Sequence, residues 1–108
     1  MHSFPPFTVS VDRSTRTAKL SGEVDLAAGP ALAEIAASPV RISSVDLSSV
    51  TFLDSTVLTF LAGLDDHLKA TGERLSVVGA APAVRKVFML TGLLHLLGAR
   101  AQEQSAEV

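Results

Sequence analysis

The sequence predicts an α/β fold: a mixed sheet of four to five strands, with helices packed mainly on one face. Three observations carry this. Phe7–Val11 and Thr17–Ser21 alternate apolar and polar residues around a short polar turn, which is the signature of a hairpin. Apolar β-branched runs then alternate with stretches whose apolar residues recur every three or four positions, the order expected of strand–helix–strand units. Third, 47% of the 108 residues are hydrophobic and 19% are charged, enough apolar surface for one core in one domain.

Taken in order, residues 1–6 form a tail and residues 7–98 the domain. Asp12-Arg13-Ser14-Thr15 is the hairpin turn, Thr17–Ser21 the second strand, and Gly22-Glu23-Val24-Asp25 a polar-edged loop. Pro30 suits the first turn of a helix, where a missing N–H costs nothing. Leu32, Ile35 and Ala36 share its inner face, and Pro39 lies beyond its end. Val40–Leu47 reads as a buried strand with Asp46 near its end, followed by a short polar break.

Val57, Phe60, Leu61, Leu64 and Leu68 form the apolar stripe of the next helix. On its outer face, Asp65 and Lys69 make an exposed i,i+4 pair, and Gly72 takes the C′ position. Leu75–Val78 is a further strand. Pro82 opens a helix with Val84, Val87 and Phe88 inward and Gly92 past its end. Leu93–Leu97 supplies a short last strand or packed coil, and residues 99–108 are a polar tail. The core is expected to include Val45, Leu47, Leu61, Leu64, Val77 and Phe88.

Composition excludes several function classes. Nine basic and eleven acidic residues give a net charge of −2, with no electrostatic reason for a nucleic-acid partner. There is no cysteine, so thiol catalysis, disulfides and Cys-ligated zinc are excluded. His2, His67 and His95 lack metal-ligand spacing. No apolar run approaches the roughly 20 residues of a membrane span. The N-terminus has neither the basic region nor the apolar stretch of a signal peptide, so the cytoplasm is the expected location. No phosphate-binding loop, nucleophile elbow or zinc-protease motif is present, and neither catalysis nor a cofactor is expected.

The candidate site is Asp54-Ser55-Thr56, at the mouth of the long helix. A helix start leaves backbone N–H groups unpaired and carries partial positive charge. Hydroxyls there cap the helix, or one of them accepts a phosphoryl group. Glu23, Asp25 and Asp46 are either a solvated acidic set or part of a partner-facing surface.

Four stretches resemble the STAS domain of bacterial anti-sigma factor antagonists. These are Leu20-Ser21-Gly22-Glu23-Val24-Asp25, Val45 through Thr56 with its Asp-Ser-Thr, Leu75-Ser76-Val77-Val78-Gly79, and Val84–Leu96 with Leu90-Thr91-Gly92-Leu93. The resemblance implies a binding switch. The unphosphorylated domain would bind an anti-sigma factor of the GHKL serine-kinase type and so free a sigma factor. Phosphorylation of Thr56, or else Ser55, would end the complex, and a PP2C-type phosphatase would reset it. Glu23, Asp25, Asp46, Asp54 and Val57 are the expected partner-facing residues. Where that family has Gly-Leu-Gly, this chain has Val57-Leu58-Thr59, placing a branched side chain beside the hydroxyl pair. The resemblance also implies an alternative, a STAS subunit without phosphate turnover in a stress-signalling scaffold or a lipid-transport ABC complex.

Overall fold

The computed structural model describes residues 7–97. The tails expected at 1–6 and 99–108, and Gly98, lie outside the described residues. Four strands form one sheet in the order β1-β2-β3-β4, with β1 Phe7–Asp12, β2 Thr17–Val24, β3 Ser44–Leu53 and β4 Ser76–Val78. The β1–β2 hairpin is antiparallel, whereas β2–β3 and β3–β4 are parallel, so the sheet is mixed. The helices are α1 Gly29–Ala37, α2 Ser55–Lys69 and α3 Pro82–Leu90, with 3-10 turns at Leu26–Ala28 and Leu94–Leu97. In place of the expected last strand or packed coil, Leu94–Leu97 folds as a 3-10 turn that buries Leu96 and Leu97, and the described sheet stays four-stranded.

The core forms along one face of the sheet. Ala18, Leu20 and Val24 of β2 and Val45, Leu47, Val50 and Leu53 of β3 are buried with Leu32, Ile35, Leu61, Leu68, Val84 and Phe88 of the helices. Of the six expected core residues, five are fully buried and Leu64 is partly buried against them. Ala36, expected inward, is exposed. The opposite face is polar, where Ser10, Asp12, Thr17, Lys19 and Asp46 line a shallow depression.

Three strand boundaries depart from the expectation. β2 continues through Gly22 and Glu23 to Val24, because β3 pairs with it as far as Leu53. β3 begins at Ser44 rather than Val40 and runs through the expected polar break. Asp46 is therefore the third residue of a ten-residue strand, not its end. The reason is the pairing. Against β2, β3 carries two irregularities, between the Lys19↔Asp46 and Ser21↔Ser49 pairs and between Gly22↔Val50 and Glu23↔Phe52. Each inserts an extra residue and breaks the alternation that marks a strand in sequence. Ser48 has no partner on β2, and its N–H donates to Asp46 Oδ1 at 2.8 Å. That bond, then the Ser48 hydroxyl and the Lys19 charge, hold the Asp46 carboxyl below its ordinary value. Gly79 closes this corner: its φ is +76°, and a Cβ there would lie 2.8 Å from Ser48 Cβ.

The longer helix α2 and the later α3 both end at the expected glycines. Glu73 N–H donates to Leu68 O at 2.9 Å and Gly72 N–H to Lys69 O at 3.0 Å, the paired bonds of a Schellman cap. Leu93 to Phe88 and Gly92 to Met89 repeat the pattern after α3, at 2.9 and 3.2 Å.

Asp65 corrects a further expectation. It is 2% exposed, not on the wet face. Its carboxylate accepts Arg74 Nε at 3.0 Å, Arg74 Nη2 at 3.1 Å and the Leu75 N–H at 2.9 Å. Lys69 stands at 3.9 Å, a peripheral partner. Arg74, joined by the Leu75 N–H and Lys69, holds the Asp65 carboxyl below its ordinary value against the opposing effect of burial.

This packing can be tested at two residues. Leu61→Ala, at a fully buried position in the middle of α2, costs about 2–5 kcal/mol in urea unfolding; a loss under about 0.5 kcal/mol contradicts the packing. Asp65→Asn costs about 1–3 kcal/mol at pH 7, since it removes the charge that holds Arg74. Because the folded-state pKa is lowered, the wild-type contribution is complete above the unfolded value near 4 and is lost as pH falls through the folded value. The gap between wild type and Asp65→Asn therefore narrows below about pH 4; an equal gap at pH 7 and pH 3 contradicts the assignment.

Candidate functional site

Parallel pairing places the ends of β2 and β3 side by side. Val24 pairs with Leu53, and Asp54 N–H donates to Val24 O at 3.2 Å, extending the ladder by one residue. Asp25 and Asp54 thus come directly after paired residues at one end of the sheet, with exposed Glu23 just before. Asp25 Oδ1 accepts the Ala27 N–H at 3.0 Å, and its carbonyl accepts the Ala28 N–H at 2.9 Å. That carboxylate starts the 3-10 turn leading into α1, a use invisible while the stretch reads as a plain loop.

Asp54 occupies the position before the helix, and its carbonyl accepts the Val57 N–H at 3.0 Å. The capping position therefore belongs to Asp54. Ser55 is the first helical residue of α2 and is exposed. Thr56 is the second by its backbone; its side chain lies outside the described part of the structure. The Thr59 hydroxyl donates to Ser55 O at 3.3 Å. The 15-residue helix presents its positive end to this rim.

The structure separates two residues from the others. Asp46 pairs with Lys19, six residues before Asp25 on the adjacent strand, or roughly 20 Å at about 3.3 Å per residue. It lies toward the other end of the sheet and serves the β3 irregularity. Val57 is 0% exposed. Its place in the apolar stripe is borne out, and the expectation that it also faces a partner on the rim is not, because the first turn of α2 must bury one face against the sheet. It neither faces a partner nor crowds an approach to Ser55. Sequence reasoning missed Phe52, which pairs with Glu23 and is 50% exposed; in sequence it falls in the stretch between the expected strand and the helix, with no period to mark its facing.

Among the described residues, no group of three His, Cys, Asp or Glu side chains could hold a metal ion. No described helix is long and apolar enough to cross a membrane.

Comparison with known proteins agrees with this architecture. The family described as Mlab, STAS domain, matches residues 7–98. The chain belongs to the STAS domain family. It is 30% identical over 84 residues to the anti-sigma-B factor antagonist of Staphylococcus aureus (strain NCTC 8325 / PS 47), covering 73% of this chain and 77% of that one. The crystal structure of an anti-sigma factor antagonist from Mycobacterium paratuberculosis superposes with a TM-score of 0.69 at 33% identity, covering 85% of this chain and 84% of that one. The anti-sigma factor antagonist SpoIIAA in its unphosphorylated form shares the fold, with a TM-score of 0.65 at 21% identity over 94% of this chain and 97% of that one. SpoIIAA of Bacillus is also known in a phosphorylated form, with a TM-score of 0.59 at 23% identity over 81% of this chain and 84% of that one.

The buried Val57 yields a prediction. Val57→Gly destabilises the domain by about 2–4 kcal/mol, combining a core void with the low helix propensity of glycine. Thermal unfolding within about 2 °C of wild type contradicts a core role for this side chain.

Proposed function

We propose that this protein is an anti-sigma factor antagonist whose binding is switched by phosphorylation at the start of α2. In its unphosphorylated form it binds an anti-sigma factor, a kinase of the GHKL type, in the cytoplasm, and a sigma factor is freed. A PP2C-type phosphatase restores the binding form. The observation that carries this reading is the exposed Ser55 at the first position of a 15-residue helix, beside Asp54 and the ends of β2 and β3. The Staphylococcus aureus relative and both solved relatives bear the antagonist name, and SpoIIAA exists in both phosphorylation states.

The chemistry is local. A phosphoryl group on Thr56, or on Ser55, adds about −1.5 to −2 charges at the helix start. The helix tolerates that charge, since its N-terminus favours anions. The complex does not, because the dianion must lose its water at the interface and stands beside Asp54. The fold therefore stays and the binding goes.

A second reading has its own support. Val57 and Thr59 stand where the resemblance has glycines, and the matching family carries the Mlab description. It makes the protein a STAS subunit of a stress-signalling scaffold or a lipid-transport ABC complex, without phosphate turnover.

The test is phosphorylation by the cognate kinase. With ATP, mass spectrometry should find one added phosphoryl group, on Thr56 or Ser55. Substitution of the modified residue by Ala should leave the fold intact and the anti-sigma factor bound constitutively, and Thr56→Glu should weaken binding. Unmodified hydroxyls together with wild-type affinity in Thr56→Glu reject the switch in favour of the subunit reading.

A further inference from the structure

β3 turns one aromatic side chain out of the core. Val50 and Leu53 are buried at 3% and 4%, while Thr51 and Phe52 between them are exposed. In a regular strand, residues two apart share a face, so Phe52 would go inward with Val50. The register against β2 steps instead from Gly22↔Val50 to Glu23↔Phe52, leaving Thr51 as the extra residue. The insertion reverses the facing of the strand beyond it, so Leu53 goes inward opposite Val24 and Phe52 goes out. Gly22, at φ +87°, sits on β2 at the same step and fits this local distortion. Met89 and Leu90 are more exposed still, at 56% and 74%, but they lie in the last turn of α3 and no change of register puts them there.

Two carboxylates adjoin Phe52 along the backbone. Glu23 is its strand neighbour, and Asp54 lies two residues further along the chain. The strand ends and helix starts nearest it in the chain, residues 20–32 and 47–61, contain no Lys or Arg. An exposed aromatic ring with acidic neighbours is the pattern of an interface anchor, where a buried ring supplies affinity and the charges set orientation.

We propose that Phe52 is the apolar anchor of the partner interface, entering a nonpolar pocket on the anti-sigma factor that carries a Lys or Arg opposite Glu23. The inference rests on the antagonist reading and adds the partner's surface chemistry. It also gives the switch a cause. Ser55 lies three residues beyond Phe52, so a phosphoryl group on the hydroxyl pair meets the lip of an apolar pocket, where nothing replaces its lost water. The basic group opposite Glu23 is matched by the carboxylate already there.

Isothermal titration of unphosphorylated protein with the purified anti-sigma factor tests this. Phe52→Ala should weaken binding at least about tenfold, as for a central aromatic anchor. Its melting temperature should stay within a few degrees of wild type, because half of the ring is already in water. Phe52→Leu, which keeps the strand apolar, should fall between the two and covers the case of an unstable alanine variant. Glu23→Gln should bind more weakly at low salt and show a smaller salt dependence than wild type. Wild-type protein that binds no anti-sigma factor overturns the antagonist reading itself. Binding of wild type with Phe52→Ala and Phe52→Leu within twofold of it overturns the anchor alone, and an unchanged salt dependence in Glu23→Gln overturns the basic partner.

Discussion

The parallel ladder between β2 and β3 is the constraint on which the rest depends. It joins the hairpin to the strand–helix units, and it extends far enough to set the Asp25 and Asp54 corners side by side. Its two irregularities distribute the work along the strand. The first leaves the Ser48 N–H to Asp46 and admits Gly79 close to the strand. The second exposes Phe52 and buries Leu53 next to the start of α2. A strand paired without these steps would present a different surface at the same place, because each one-residue slip exchanges the two faces.

The opposite end of the sheet is tied by side chains. Arg16 is the one described non-glycine residue with a positive φ, at 56°. Its carbonyl accepts the N–H groups of Ser43 and Ser44 at 2.9 and 3.2 Å, and its Nε donates to Arg41 O at 2.7 Å. Its Nη2 reaches Glu73 at 2.9 Å, joining the hairpin turn to the loop after α2. These ends are partly exposed, so the ion pair adds little by itself; the several bonds together hold an uncommon backbone conformation. Asp65 acts nearer the core, fastening α2 to the residues that lead into β4. Residues 20–32 and 47–61, at the Asp54 end, carry no Lys or Arg for a comparable clasp.

Function grows out of that contrast. One end of a small domain is cross-braced, while the other offers an exposed hydroxyl, a half-exposed ring and acidic groups on backbone fixed by the ladder. In the proposed switch, a single charge change at the helix start alters what binds without altering what folds, because the helix dipole accommodates the anion and the core lies beneath it.

Much of this is legible in the chain. The three-and-four spacing of Val57, Leu61, Leu64 and Leu68 identifies α2, the alternation of Phe7–Val11 identifies β1, and Gly72 and Gly92 mark helix ends, all from local stereochemistry. The location of Asp54-Ser55-Thr56 at a helix start is likewise a local property. Other features depend on which strand lies beside which. Residues 48–52 look like a polar break because bulges erase alternation, and only the ladder to β2 makes them a strand. Asp65 looks like a surface partner of Lys69 until Arg74 and Leu75, nine and ten residues away, arrive beside it. Phe52 meets water while Val57 packs inside with the rest of its stripe, because burial is decided by register and helix docking. Sequence spacing reports the period of an element; which residue of that element meets water is set by its neighbours in space.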